Sequence, residues 1–219
     1  MKKYLLIVIC FLGLTFSSQA QFGYGTELTG NLIIPLGKNA DDYNPGFGAL
    51  VGFYYDITEN FRMAFVTGYL RSSINEDKVN GDFTSGGEQG NVDVSGGVSS
   101  IPALLSLRLI SPGPGMRLYG LIELGLYTYR TSISGTYTLS GVSTPVDESE
   151  YRFEGGFVAG GGVLFPLNEE LSIDANLRYH WINDSEYSDV ETTDGTTLGS
   201  SKLFTIGVGV NWFFPLKKP

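Results

Sequence analysis

From residue 22 onward the chain alternates apolar and polar positions with a period of two wherever turn-forming residues are absent. Phe22, Tyr24, Thr26, Leu28, Leu32 and Ile34 fall on one parity, against Gly23, Gly25, Glu27, Thr29 and Asn31 on the other. The end of the chain repeats the pattern, with Phe204, Ile206, Val208, Val210, Trp212 and Phe214 opposed by Thr205, Gly207, Gly209 and Asn211. Side chains on a strand point alternately to its two faces, so this period predicts strands with one greasy face and one polar face. Six further segments of the same kind lie near 45–56, 61–72, 100–110, 116–131, 152–166 and 171–183.

The connections alternate in length. Asp56–Asn60, Ser111–Gly115 and Pro166–Glu170 are tight turns, whereas 37–44, 73–99, 132–151 and 184–201 are longer and polar. A tilted strand of roughly 9 to 11 residues crosses the hydrocarbon layer of a bilayer, and transmembrane barrels carry short turns on the periplasmic side and long loops outside. The expectation is an all-β fold: an eight-stranded, antiparallel, up-and-down transmembrane β-barrel with both chain ends on the short-turn side.

Charge gives an independent test of that reading. A cation facing lipid at mid-bilayer costs on the order of 2 to 4 kcal/mol, so charges within spanning strands belong on the inward parity. Glu27, Arg62, Arg108, Arg117, Glu123, Glu154, Asp174 and Arg178 all occupy the parity opposite the apolar row. Arg71, Arg130 and Lys202 do not, and all three fall at the outer ends of their expected strands, where they would meet lipid headgroups. Aromatic residues, which favour the headgroup level, form two sets. Tyr69, Tyr179, Trp181 and Phe204 mark the outer boundary, and Phe22, Tyr24, Tyr55, Phe61, Phe165, Trp212 and Phe214 the periplasmic one.

Composition agrees with this and narrows the function. The 219 residues include 30 Gly, 13 Tyr and 14 Phe, which suits a barrel better than a soluble enzyme. Lys2 and Lys3, the apolar run from Tyr4 to Phe16, and Ser18 and Ala20 before Gln21 have the order of a secretory signal peptide cleaved after Ala20. Residues 1–20 are therefore expected to leave, and 21–219 to form one barrel domain. The one cysteine, Cys10, lies within that signal, so neither a disulfide nor a thiolate metal site is expected. The net charge of −9 argues against a nucleic-acid partner, since phosphate binding needs clustered Lys and Arg.

With the strands placed, the chain resembles the outer-membrane protein β-barrel domain family, small eight-stranded barrels of the OmpA and OmpX type, in the flavour of those from Bacteroidota. The resemblance rests on Ile101-Pro102-Ala103-Leu104-Leu105 with Arg108, on Leu118-Tyr119-Gly120 with Glu123-Leu124-Gly125, on Gly160-Gly161-Gly162-Val163, and on the closing run to Trp212-Phe213-Phe214. It covers nearly all of the chain, which differs from the usual pattern in continuing from Pro215 to Pro219 after its last aromatic residue. What it implies is a bacterial outer-membrane location and insertion by the barrel assembly machinery; contact with lipopolysaccharide is expected separately, from the basic rim of Arg71, Arg130 and Lys202 facing lipid phosphates. Such barrels share a fold and differ in role.

The inward charges balance, four acidic against four basic, and an eight-stranded barrel is narrow enough to be filled by its own side chains. A lumen plugged by a charge network is the favoured expectation, and a narrow channel for ions or small solutes is the alternative. The expected loops hold fifteen acids, among them Asp41, Glu76, Asp93, Asp147, Glu150 and Asp189, against Lys38 and Lys78. That makes an acidic outer cap. Asp189, Glu191 and Asp194 could supply oxygen ligands to a divalent cation, but their spacing departs from known calcium loops, and no metal or cofactor is expected. The single histidine, His180, shares its parity with Asp174 and Arg178 and precedes Asp184 and Ser185, a weak pointer to a lipid-modifying enzyme. The Gly160–Gly162 run reads as close strand packing, since neither a helix nor a lysine follows it as a phosphate cradle requires. The expected role is non-enzymatic: a monomeric barrel acting through its outer loops in surface interaction or envelope integrity.

Overall fold

A computed structural model of the chain describes residues 23–37, 40–85, 88–183 and 202–215; the expected signal peptide, most of the last loop and the tail after Pro215 lie outside them. Among the described residues nine strands follow one another: β1 (Gly23–Leu36), β2 (Gly46–Thr58), β3 (Phe61–Ser73), β4 (Gly81–Ser85), β5 (Glu88–Ile110), β6 (Arg117–Leu139), β7 (Val142–Pro166), β8 (Leu171–Ile182) and β9 (Lys202–Pro215). All pairings are antiparallel. Eight strands close a ring in the order β1, β2, β3, β5, β6, β7, β8, β9, and β4 is appended to the outer part of β5.

Closure satisfies every ladder without leaving an edge in lipid, the condition a spanning sheet must meet. The stagger can be followed residue by residue. From Gly23 the paired positions run through Asp56, Arg62, Arg108, Leu121, Gly160, Arg178 and Thr205 to Ile33, ten residues further along β1. That offset is the tilt of the strands, and it turns a row of paired residues into a staircase up the inner wall.

Alternation decides which side each residue faces. Leu28, Phe53, Phe65, Leu105, Leu124, Leu177 and Val208 are exposed on the outer surface, while Glu27, Leu50, Val66, Leu104, Glu123 and Arg178 are buried inside. On the periplasmic rim, Tyr24 stacks on Phe214 at 5.5 Å across the β1–β9 seam, and Trp212 stacks on Phe214 at 5.9 Å. Tyr69, Tyr179 and Trp181 are exposed toward the other boundary.

Two expected loops are corrected. Most of 73–99 and 132–151 is strand: β5 and β6 each run for 23 residues and β7 for 25. The β6–β7 hairpin turns at Ser140 (φ 51°) and Gly141 (φ 81°), two left-handed positions of the kind a two-residue hairpin turn uses. In those two stretches the alternation is short and broken: Ile133, Tyr137 and Leu139 oppose Ser134, Thr136 and Thr138, and Val92, Val94 and Val98 oppose Asp93 and Ser95, but Gly135, Gly96 and Gly97 interrupt the rows and read as loop. A short helix, α1 (Glu76–Val79), and a 3-10 turn at Ala40–Asp42 fold over the outer mouth, where Tyr43 bridges to Ile74.

Candidate functional site

The lumen is divided by height. Its periplasmic half is polar. There Glu27 on β1 accepts two parallel hydrogen bonds from Arg108 on β5, each 2.6 Å, and Arg108 also donates to Ser106 at 3.3 Å. Both partners are nearly inaccessible, and the fork-on-carboxylate geometry is the strong form of the contact. Gly52 makes it possible: a Cβ there would stand 2.5 Å from the Glu27 Cγ. Arg178 on β8 lies between two carboxylates, 3.9 Å from Glu27 and 3.8 Å from Glu123 on β6, beyond direct hydrogen bonding to either. Asp174 accepts from the Tyr119 hydroxyl at 2.8 and 3.0 Å, and the Arg108 guanidinium sits 5.6 Å from that tyrosine ring.

Five of the eight inward charges therefore form one group drawn from β1, β5, β6 and β8. The other three stand apart. Arg62 is committed to Asp56, with bonds of 2.6 and 3.0 Å, and lies 3.6 Å over the Tyr54 ring. Arg117 is half-buried at the periplasmic mouth, and Glu154 is half-buried high on β7, opposite Tyr127. Sequence reasoning missed Asp56, Tyr54 and Tyr119 as partners. Each lies on the inward parity, but parity says which face a residue occupies, not what stands across from it.

The outer half of the lumen is more apolar, with Ile33, Leu50, Leu70, Ile182 and Leu203 buried around it. A polar contact crosses it. His180 Nδ1 lies 2.7 Å from the Tyr127 hydroxyl and Nε2 lies 3.2 Å from Thr205 Oγ1, so both ring nitrogens are occupied by neutral hydroxyls. Asp174 is bonded to Tyr119 rather than to His180, and Asp184 and Ser185 lie outside the described residues. Among the described residues no catalytic set assembles around the histidine. The glycine run behaves as close packing: a Cβ on Gly160 would strike the Leu177 carbonyl oxygen, and one on Gly162 the Tyr119 ring.

The outward cations are distributed differently from the expectation. Arg71 pairs with Ser99, and Ser99 pairs with Arg130, so the two arginines stand on one register line two strands apart. Phe47 and Tyr151 continue that line on either side. Arg130 donates to Ser149 at 3.1 Å and lies 5.4 Å from the Tyr151 ring. It is not at a strand end, because β6 continues for nine residues to Leu139. Lys202 opens β9 elsewhere on the ring and lies 5.9 Å from the Trp181 ring.

Of the expected acidic cap, Asp82, Glu88, Asp93, Asp147, Glu148 and Glu150 are carried by strands, not loops. Two bases temper it, Lys78 at 3.0 Å from Asp41 and Arg152 at 2.6 Å from Glu150. The hydrogen bond from Arg152 holds the exposed Glu150 carboxyl below the usual carboxylate range. Asp189, Glu191 and Asp194 lie outside the described residues, and no group of three or more metal-ligating side chains occurs within them.

A closed ring of eight antiparallel strands, greasy outside, charged within and banded by aromatics, defines a small transmembrane barrel of the outer-membrane class. The chain belongs to the outer membrane protein beta-barrel domain family, whose pattern matches residues 5–214, and is a protein of the bacterial outer membrane. The fold is similar to that of a major outer membrane protein from Thermus thermophilus, at 12% identity and TM-score 0.54 over 87% of this chain and 99% of that one. It is also similar to Neisserial surface protein A, at 16% identity and TM-score 0.50 over 89% of this chain and 98% of that one. The attachment invasion locus protein Ail of Yersinia pestis aligns at 14% identity and TM-score 0.49, over 90% of this chain and all of that one. At such identities the likeness is one of fold alone, and it lends no support to a bacteroidal origin. No curated protein matches the chain in sequence.

Proposed function

We propose that the protein is a non-conducting barrel whose lumen is held shut by its own ion pairs and whose role lies in surface interaction outside the membrane. The observation that carries this reading is the pair of parallel hydrogen bonds from Arg108 to Glu27, made between strands three places apart in the ring and flanked by Arg178 and Glu123. Opening a path would strand buried charge, and breaking one partner of such a pair costs roughly 3 to 5 kcal/mol.

The surface role rests on the long strands. The outer part of β7 pairs with β6 along its whole length, while its pairing with β8 begins only at Gly156. Among the described residues no strand pairs with the other edge of Val142–Tyr151, which carries Asp147, Glu148 and Glu150. An acidic sheet edge held above the membrane suits addition of an extended, basic segment from a partner. Arg71 and Arg130, facing outward near the upper limit of the apolar belt, suit the phosphates of lipopolysaccharide.

Single-channel recording of the refolded protein in a planar bilayer tests the reading. A barrel with native heat-dependent gel mobility and no steady conductance is the expected result. Reproducible conductance that changes when Arg108 or Glu123 is neutralised would replace it with a narrow channel.

A further inference from the structure

The periplasmic mouth of the barrel contains a recess of about 150 Å3 that neither the lumen pairs nor the outer surface explains. Tyr54, Asp56, Arg62, Arg117, Ser172 and Phe213 line it, and a cavity near this size can take a ring of six carbons. Two features make it a built site. Arg62 is 4% exposed and spends Nε and Nη2 on Asp56, while its buried Nη1 has no hydrogen-bond partner among the described residues. Arg117, from β6, lines the same recess, and the ion pairs of the described residues do not include it.

A guanidinium presents donors in a flat fork that matches a carboxylate, and two guanidiniums around one small space favour an anion between them. A simple anion would nevertheless meet opposition. Glu59, Glu169 and Glu170 also border the recess and are exposed, so its entrance is negative while its inner wall is positive. That arrangement of charge fits a molecule with a carboxylate at one end and an ammonium a few atoms away. Tyr54 and Phe213 supply apolar walls for the atoms between. We propose that this recess binds a small zwitterion of the amino-acid or short-peptide type from the periplasm, its carboxylate held by the guanidiniums of Arg62 and Arg117 and its ammonium by the glutamates at the entrance. The site draws on none of Glu27, Arg108, Glu123 and Arg178, so it does not rest on the lumen being shut.

Amide chemical shifts of Tyr54, Asp56 and Ser172 in the folded protein, held in lipid nanodiscs, test this during titration with alanyl-alanine, its N-acetyl form and its C-terminal amide. Saturable shifts with alanyl-alanine in the millimolar range or tighter are expected, with at least tenfold weaker binding for the C-terminal amide and a smaller loss for the N-acetyl form. Arg117→Gln, which leaves the Arg62–Asp56 pair in place, should weaken alanyl-alanine at least tenfold while retaining heat-dependent gel mobility. Arg62→Lys keeps the charge but loses the fork and should weaken it as well. No shift with alanyl-alanine, equal binding of the amide, or full affinity in Arg117→Gln would each overturn the assignment.

Discussion

Glu27 and Arg108, 81 residues apart in sequence, meet inside the barrel through two 2.6 Å bonds, with neither side chain more than 2% exposed. Such a pair offers little net stability over an apolar replacement, because both charges had to leave water. Its removal one partner at a time is another matter.

Glu27→Gln or Arg108→Met alone should lower the unfolding free energy by about 3 to 5 kcal/mol, since each leaves a buried charge uncompensated. The double variant Glu27→Leu, Arg108→Met should recover most of that loss. Urea unfolding of the refolded protein in lipid measures all three, and a double variant as unstable as the sum of the singles would mean that the pair does not act as a unit.

His180 bridges Tyr127 and Thr205 in the more apolar outer half of the lumen. His180→Leu leaves two buried hydroxyls without that partner, a loss on the order of 1 to 3 kcal/mol each at most. Stability should fall while the lipid composition of membranes carrying the variant stays as in wild type. A change in lipid hydrolysis without a change in unfolding would instead make the histidine catalytic.

Arg71 and Arg130 share a register line and Lys202 does not. Replacing both arginines with glutamine should therefore weaken association with lipopolysaccharide more than Lys202→Gln does, and the two losses should add. Co-purified lipopolysaccharide, quantified per barrel, reads the effect. A loss from the arginine pair no more than twice that from Lys202→Gln would show that general surface charge, not the paired geometry, attracts the lipid.

Gly141 turns the β6–β7 hairpin at φ 81°. Gly141→Val places a β-branched side chain in a left-handed conformation, with a cost on the order of 1 to 3 kcal/mol localised at the tip. Hydrogen exchange should quicken in Thr136–Leu139 and Val142–Pro145 while the amides of the membrane ring remain protected. Loss of protection throughout the ring would show that the projecting hairpin nucleates the barrel.

The sequence made the eight spanning segments and the inward set of charges legible because the bilayer imposes the contrast: one face of each strand meets lipid and the other does not. Where the contrast ended, so did the signal. Beyond Gly135 the apolar row of β6 resumes only at Tyr137 and Leu139, too short a run to mark a strand by itself. The partners of the inward charges were hidden for a different reason. That Arg62 takes Asp56 while Arg108 takes Glu27 depends on the register of β2, β3 and β5, which is set by ladders distant in sequence. Asp56 in particular sits where strand becomes turn, and composition assigns it to the turn.

The pairing of Gly23 with Pro215 places the first and last described residues side by side on the periplasmic rim. In topological terms the described strands form a ring in which no member is intrinsically first. Bridging those ends with a short linker and opening the chain between Ser140 and Gly141 should yield a circular permutant that closes the same ring, since exposed hairpin tips tolerate such cuts. Native heat-dependent gel mobility of that permutant would show that the order of synthesis is immaterial to the final barrel; its absence would show that the β1–β9 seam must close between two chain ends.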